Sequence, residues 1–395
     1  MQIVARIKSL LPFLYGENGK RNDAHSKRAS IGFKLPLFLS LLPLFLGTIC
    51  LLCIAVIVDP YNVRPWGLPT KLADHRYPDT EWPMLIRSVT AQSHDIVIVG
   101  GSSVMGISNE QMKEAFGQAA RPINLAYPYA MPTDTKETLQ IVFKTPDLKK
   151  LLLFVDHSQM MPMETKFLPA KMRDNLDATN WAHAGDFNLD TALASFHRIA
   201  NGRYDLEEWQ SLQRPQFVTD ITLENDNKAV VRLNKAFAKY RKSVLGGAIK
   251  PDCTHYPFID QVLEPALRQV ERQNITVDVI FPPYPYISYY DWIDRRFQSD
   301  PFPRGPVFRS ILSFKKCVTA AVDKAGLPMR TIAMDNDLFL GSNLALYMDS
   351  LHISKPAGFD RVMRNVKSDE YILTPQNFGR YQAELERNIL SVKRP

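Results

Sequence analysis

The run Asp95-Ile-Val-Ile-Val99 constrains the fold more than any other feature of this chain. Four consecutive β-branched apolar residues without a polar partner suit a strand covered on both faces, as in a parallel sheet. The run stops at Gly100-Gly101-Ser102-Ser103, and a helical pattern follows around 109–116. Leu151-Leu-Leu-Phe-Val155 and Thr276-Val-Asp-Val-Ile-Phe281 repeat the strand type, Pro122-Ile-Asn-Leu-Ala126 is a shorter version, and 329–333 a weaker one. Strands alternating with helical stretches imply right-handed β-α-β units. The expected fold class is therefore α/β, a doubly wound, flavodoxin-like parallel sheet. Residues 159–258 exceed a plain crossover and are expected to form a helical insertion or lid, with a docking surface as the alternative.

The net charge of +7 does not argue for nucleic acid, because of where it sits. Residues 1–34 hold seven basic residues against Glu17 and Asp23, so this tail alone carries +5 and leaves +2 for the rest. From Leu35 to Val58 no residue is charged. That length of apolar chain is enough for a helix to cross about 30 Å of hydrocarbon. A basic flank on the N-terminal side predicts that the tail stays inside and that residues 59–395 are exported. The expected order is a cytoplasmic tail over 1–34, a transmembrane helix over 35–58, a Pro-rich and aromatic linker over 59–94, and one large domain over 95–395. The expected location is the inner membrane of a bacterium, with the large domain periplasmic or extracellular.

Of the four cysteines, Cys50 and Cys53 lie in the apolar span and Cys253 and Cys317 in the exported part. An oxidising compartment permits a Cys253–Cys317 disulfide, and spacing alone does not say whether the two approach. No Cys and His spacing of the zinc-binding kind occurs, so neither a metal nor another cofactor is expected.

In open α/β sheets the ligand crevice lies beyond the carboxyl ends of the strands. After the first strand, Gly101-Ser102-Ser103 offers a tight turn and a hydroxyl at a helix N-terminus, where backbone N–H groups stabilise an oxyanion. Gly100-Gly101-Ser102-Ser103 lacks the lysine and glycine spacing of a phosphate-binding loop. Near the C-terminus, Asp349-Ser350-Leu351-His352 precedes a helix beginning near Pro356. A serine needs a base to take its proton, and histidine serves best when a carboxylate fixes its tautomer. Asp335 and Asp337 are further carboxylates near a strand end, but no spacing pairs them with His352. The Tyr and Pro cluster Phe281–Ile287 follows a strand and offers either a crevice rim suited to sugar stacking or a rigid packed loop.

Together, Gly101-Ser102-Ser103, Asn124-Leu125-Ala126 and Asp349-x-x-His352 resemble the SGNH (GDSL-like) hydrolase superfamily. The resemblance is to membrane-anchored members linked to cell-wall or exopolysaccharide acylation, such as the D-alanyl transfer protein and alginate-type O-acetyltransferases. It implies a nucleophile at Ser103, with Ser102 as the alternative, a base at His352 and an orienting acid at Asp349. It implies oxyanion donors at the N–H groups of Ser103 and Ala126. The family's third motif, Gly-x-Asn-Asp, is replaced by Val155-Asp156-His157-Ser158, and its oxyanion-donating asparagine corresponds to His157, whose ring N–H is the third donor so implied.

The function so implied is an O-acyltransferase or esterase acting on acyl esters of an envelope polysaccharide or exopolysaccharide. Its implied partners are an acylated sugar substrate and a membrane-embedded acyl-donor transporter, with one helix in the membrane. The alternative is a non-catalytic structural or adaptor component of an envelope polysaccharide assembly, which the altered third motif supports.

Overall fold

The computed structural model describes residues 93–126, 130–145, 147–163, 251–294, 296–297, 305–326 and 329–391. It also describes residues 41–43, 45–50 and 53, and isolated positions between 222 and 249. Most of the expected linker over 59–94 and most of the expected insertion over 159–258 lie outside the described residues. So does much of the expected span over 35–58. Its described part is helical, with Leu41, Phe45, Leu46 and Ile49 exposed. Among the described residues no helix is long and apolar enough to cross a membrane. The chain divides into two compact units, Met1–Ile54 and Ala55–Pro395.

In the larger unit the strands are β1 (Ile96–Val99), β2 (Pro122–Asn124), β3 (Lys150–Phe154), β4 (Thr276–Phe281), β5 (Arg296–Phe297), β6 (Gly305–Pro306), β7 (Met329–Ala333) and β8 (Ile372–Leu373). Six of them form one sheet in the order β2-β1-β3-β4-β7-β8, while β5 and β6 pair separately. All neighbours in the sheet are parallel except β8, which runs antiparallel to β7. The expected α/β class is therefore observed, with an antiparallel edge strand that the sequence reading did not include. The chain starts at β1, moves outward to β2, and then crosses to β3 on the other side. Strand order thus reverses between β1 and β3, and in such sheets the crevice opens at that point.

The continuous apolar runs are explained by two buried faces. Val97, Val99, Leu151, Leu153, Val277 and Val279 face one core. There they meet helices α2 (Pro132–Val142), α3 (Glu264–Gln273), α5 (Val307–Ala325) and α8 (Phe378–Ser391). Ile96, Ile98, Leu152, Phe154, Ile280 and Ile332 face a second core, covered by α1 (Asn109–Phe116) and α7 (Pro356–Lys367). Two short helices complete the set: α4 (Ser288–Asp294) and α6 (Leu338–Ser342). A capping box of Ser108 and Gln111 starts α1, and Pro356 occupies the first turn of α7, where its missing N–H costs nothing.

The helices α1 and α7 fix the crevice. The Gln111 amide donates to the Pro356 carbonyl at 3.2 Å and to the Asp360 carboxylate at 2.5 Å. The Phe359 ring lies on Gly106, where an added Cβ would come within 2.2 Å of the ring. The segment after β1 is thereby clamped to the helix that follows Asp349 and His352. Elsewhere Cys253 and Cys317 form a disulfide, with Cα atoms 5.6 Å apart.

Candidate active site

Three strand ends build the site. After β1 the chain turns through Gly100 and Gly101 into a short 3-10 turn, Ser102–Val104. The Asn124 side chain, at the end of β2, donates to the carbonyls of Val104 (2.9 Å) and Ile107 (3.0 Å). It therefore staples the segment after β1 to the neighbouring strand. After β3 comes Asp156, whose carboxylate approaches so closely that a Cβ on Gly101 would lie 2.1 Å from Oδ2. Glycine is required at 101 for this contact, not for a positive φ, since its φ is −90°.

The opposite wall is the loop between Tyr347 and Ile353, which are joined by an antiparallel bridge. The Met348 N–H donates to the His352 carbonyl at 3.0 Å, closing the loop. Within it, Asp349 Oδ1 accepts the N–H groups of Leu351 (2.7 Å) and His352 (2.8 Å). Its other oxygen, Oδ2, lies 2.6 Å from His352 Nδ1. A residue spacing of three suffices here because the aspartate first turns the backbone and then meets the ring.

Across the crevice, His352 Nε2 lies 2.7 Å from the Ser102 hydroxyl. Burial pushes the Asp349 carboxyl up, but the His352 side chain and the two backbone N–H groups outweigh it and hold it below the usual range. An ionised carboxylate only accepts hydrogen bonds, so Nδ1 carries a proton, and in the neutral form of the ring Nε2 is the nitrogen that accepts from the Ser102 hydroxyl. Serine, imidazole and carboxylate thus form one hydrogen-bonded chain. The side chain of His352 is 19 % exposed and that of Asp349 is 40 % exposed, so the chain is reachable from solvent.

The structure differs from the sequence reading at several positions. The hydroxyl facing His352 belongs to Ser102, whereas the Ser103 side chain is buried and its Oγ has no hydrogen-bond partner among the described residues. A 3-10 turn rotates about 120° per residue, so two adjacent serines cannot both face one imidazole. Ser102 fits the same Gly-x-Ser pattern as Ser103 when read as Gly100-Gly101-Ser102, and that signal was present in the sequence. The Ala126 N–H, expected as an oxyanion donor, donates at 2.9 Å to the Asn124 side chain. His157 packs against Tyr284 and Trp292, with ring centroids 5.8 and 5.3 Å away.

The Tyr and Pro cluster forms part of the core: Tyr284, Tyr286 and Ile287 are all buried, so these rings are no sugar-stacking rim. Asp335 is buried with Lys315, Tyr289 and Tyr381. Asp337 caps α6 and accepts from Arg361 and Asn365. Neither carboxylate is the one that meets His352. Among the described residues no group of three or more His, Cys, Asp or Glu side chains is placed to hold a metal ion.

No family model matches the chain, and no curated protein matches it. Among solved structures it is similar to a Streptococcus pneumonia protein described as a candidate platelet activating factor. The two share 11% identity with a TM-score of 0.33, over 75% of this chain and 92% of that one.

Proposed function

We propose that this protein is a serine-dependent ester-cleaving enzyme of the SGNH kind, an O-acyltransferase or esterase. One observation carries the reading: Ser102, His352 and Asp349 form a continuous hydrogen-bonded chain at the strand ends. Ser102 attacks the acyl carbonyl, and His352 takes the hydroxyl proton and returns it to the leaving alcohol. Asp349 holds the imidazole in the required tautomer and stabilises its charged form. The first oxyanion donor is the N–H of Ser102 itself, at the start of the 3-10 turn. Water or a sugar hydroxyl then resolves the acyl-enzyme, according to what the acceptor side admits.

The uncharged span over 35–58 and its basic flank support an anchored protein with its large unit outside the cytoplasm. The Cys253–Cys317 disulfide is consistent with an oxidising compartment. An acylated envelope polysaccharide as substrate, and a membrane-embedded acyl-donor transporter as partner, follow from the resemblance alone.

A second reading, a non-catalytic component of an envelope assembly, is favoured by the engaged Ala126 N–H and by His157 packing among aromatic rings. Reaction of the full-length protein with a fluorophosphonate probe separates the two. Labelling that disappears in Ser102→Ala supports the enzyme, and a folded protein that never labels supports the adaptor. A C-terminal reporter active only after export tests the topology, and cytoplasmic reporter activity would overturn it.

A further inference from the structure

The loop that carries Asp349 and His352 is supported at both stems. Its stems are joined to each other by the Tyr347–Ile353 bridge and by the Ser354 N–H, which donates to the Leu346 carbonyl at 2.8 Å. The C-terminal stem rests on α7, where a Cβ added to Gly358 would lie 2.6 Å from Ile353 Cγ2. The N-terminal stem is held from a distant part of the chain. The Tyr347 carbonyl accepts the N–H of Leu223, a residue of the expected insertion, at 2.5 Å. The Leu223 side chain is fully buried in the same apolar core as Leu346, Tyr347, Ile353 and Phe359. Thr222 beside it is buried as well.

Asp349 follows Tyr347 by two residues, and its carboxylate both turns the loop and meets the His352 ring. A shift of the Tyr347 backbone is therefore passed to acid and base together, and it moves His352 Nε2 off the Ser102 hydroxyl. The C-terminal stem cannot follow such a shift, because α7 holds it in place. We infer that Leu223 is a positioning residue for the Ser102–His352–Asp349 chain, setting the N-terminal stem of the base loop through its N–H and its buried side chain. The inference rests on the ester-cleaving reading above and adds to that site a residue from outside the three strand ends. Leu223 acts through Tyr347 and touches no reacting group. An ordinary core leucine contributes stability wherever it is buried, and its truncation lowers only the fraction folded. A positioning leucine also sets the rate of the molecules that remain folded, since misplacing a reacting group by an ångström lowers that rate by about 10²-fold.

The test follows fluorophosphonate labelling of the full-length protein in detergent, resolved into the binding constant KI and the maximal rate kinact. Leu223→Ala keeps the N–H and removes most of the buried side chain. Its kinact is expected to fall by about 10- to 100-fold, with KI within about twofold of the wild-type value. Leu223→Met restores the volume and should recover most of the rate. Leu267→Ala is the control, since Leu267 is a buried leucine of α3 in the other core. It should lower the urea midpoint and leave kinact unchanged. Where Leu223→Ala does not fold, Leu223→Val makes a smaller truncation and should lower kinact severalfold, by roughly half the effect on a logarithmic scale. A wild-type kinact in a folded Leu223→Ala or Leu223→Val variant, or an equal fall in Leu267→Ala, overturns the inference. A wild-type protein that does not label at all overturns the ester-cleaving reading beneath it.

Discussion

The Ser102 hydroxyl lies 2.7 Å from His352 Nε2, although the two residues are 250 positions apart in the chain. Two contacts outside the hydrogen-bonded chain hold them there. The Phe359 ring on Gly106 binds the helix after His352 to the turn after Ser102, and Gln111 ties α1 to α7 at the same end. The crevice therefore depends on helix packing against one face of the sheet as much as on its polar groups.

The two adjacent serines separate cleanly by substitution. Ser102→Ala is expected to abolish fluorophosphonate labelling and to lower ester turnover by about 10³-fold or more. Ser103→Ala removes a buried hydroxyl that has no hydrogen-bond partner among the described residues, so labelling should persist with stability nearly unchanged. Labelling lost only in the Ser103 variant would reverse the assignment.

Asp349→Asn leaves the shape of the loop but replaces an acceptor by an amide that presents N–H to the imidazole. His352 is then held in the wrong tautomer, and a loss of about 10⁴-fold in kcat is expected while substrate binding changes little. Steady-state kinetics on one activated ester would show whether the loss falls on kcat.

At Gly101 the smallest side chain is already too large. Gly101→Ala places a methyl 2.1 Å from Asp156 Oδ2, and the carboxylate must leave its bonds to Ser158 to make room. Turnover should fall by about 10²-fold, since displacement of a reacting group by an ångström costs that much. Adding Asp156→Ala frees the space, and a double-mutant cycle in denaturant should show a coupling of about 1 kcal/mol between the two sites.

Acid should weaken the fold through Asp337. Burial pushes this carboxyl up, but the Asn365 amide, the Leu340 N–H and the Arg361 guanidinium hold it below the usual carboxylate range. The folded-state value is thus lower than the unfolded one. The stability it contributes is complete above about pH 5 and is lost as the pH falls through the folded-state value. Asp337→Asn should flatten this part of the stability profile and, by stranding Arg361, cost about 3 kcal/mol at neutral pH. Urea unfolding at a series of pH values checks both.

The Cys253–Cys317 bridge closes a loop of 64 positions. In the chain-entropy description a loop of that size stabilises the fold by roughly 4 kcal/mol. Cys253→Ser with Cys317→Ser, or reduction of the wild-type protein, should lower the denaturation midpoint accordingly. An unchanged midpoint would show that the unfolded chain is already constrained in this region.

Much of the frame was legible because it is local. Ile96–Val99 and Leu151–Phe154 announce strands with two covered faces, and the structure gives each face its own core. Asp349-x-x-His352 was legible as a pair because the aspartate turns its own backbone onto the histidine. The antiparallel β8 was not legible: Ile372–Leu373 is too short for a periodic signal, and its direction depends on its pairing with β7. The aromatic cluster after β4 stayed open between two placements for a related reason. A Tyr-rich loop looks the same in sequence whether its rings line a rim or enter a core, and Tyr284 and Tyr286 are buried.

By itself the sequence determined the α/β class, the strand ends that matter, and the serine pair and Asp-x-x-His that meet across them. These follow from apolar periodicity, turn chemistry and short-range hydrogen bonding, which act between near neighbours in the chain. Only the tertiary structure decided that Ser102 and not Ser103 faces the imidazole, that Ala126 N–H serves Asn124, and that Asp156 lies against Gly101. Each of these is set by the rotation of a single turn or by the approach of two strands. Such geometry is fixed by packing among residues far apart in the chain, and no local pattern records it.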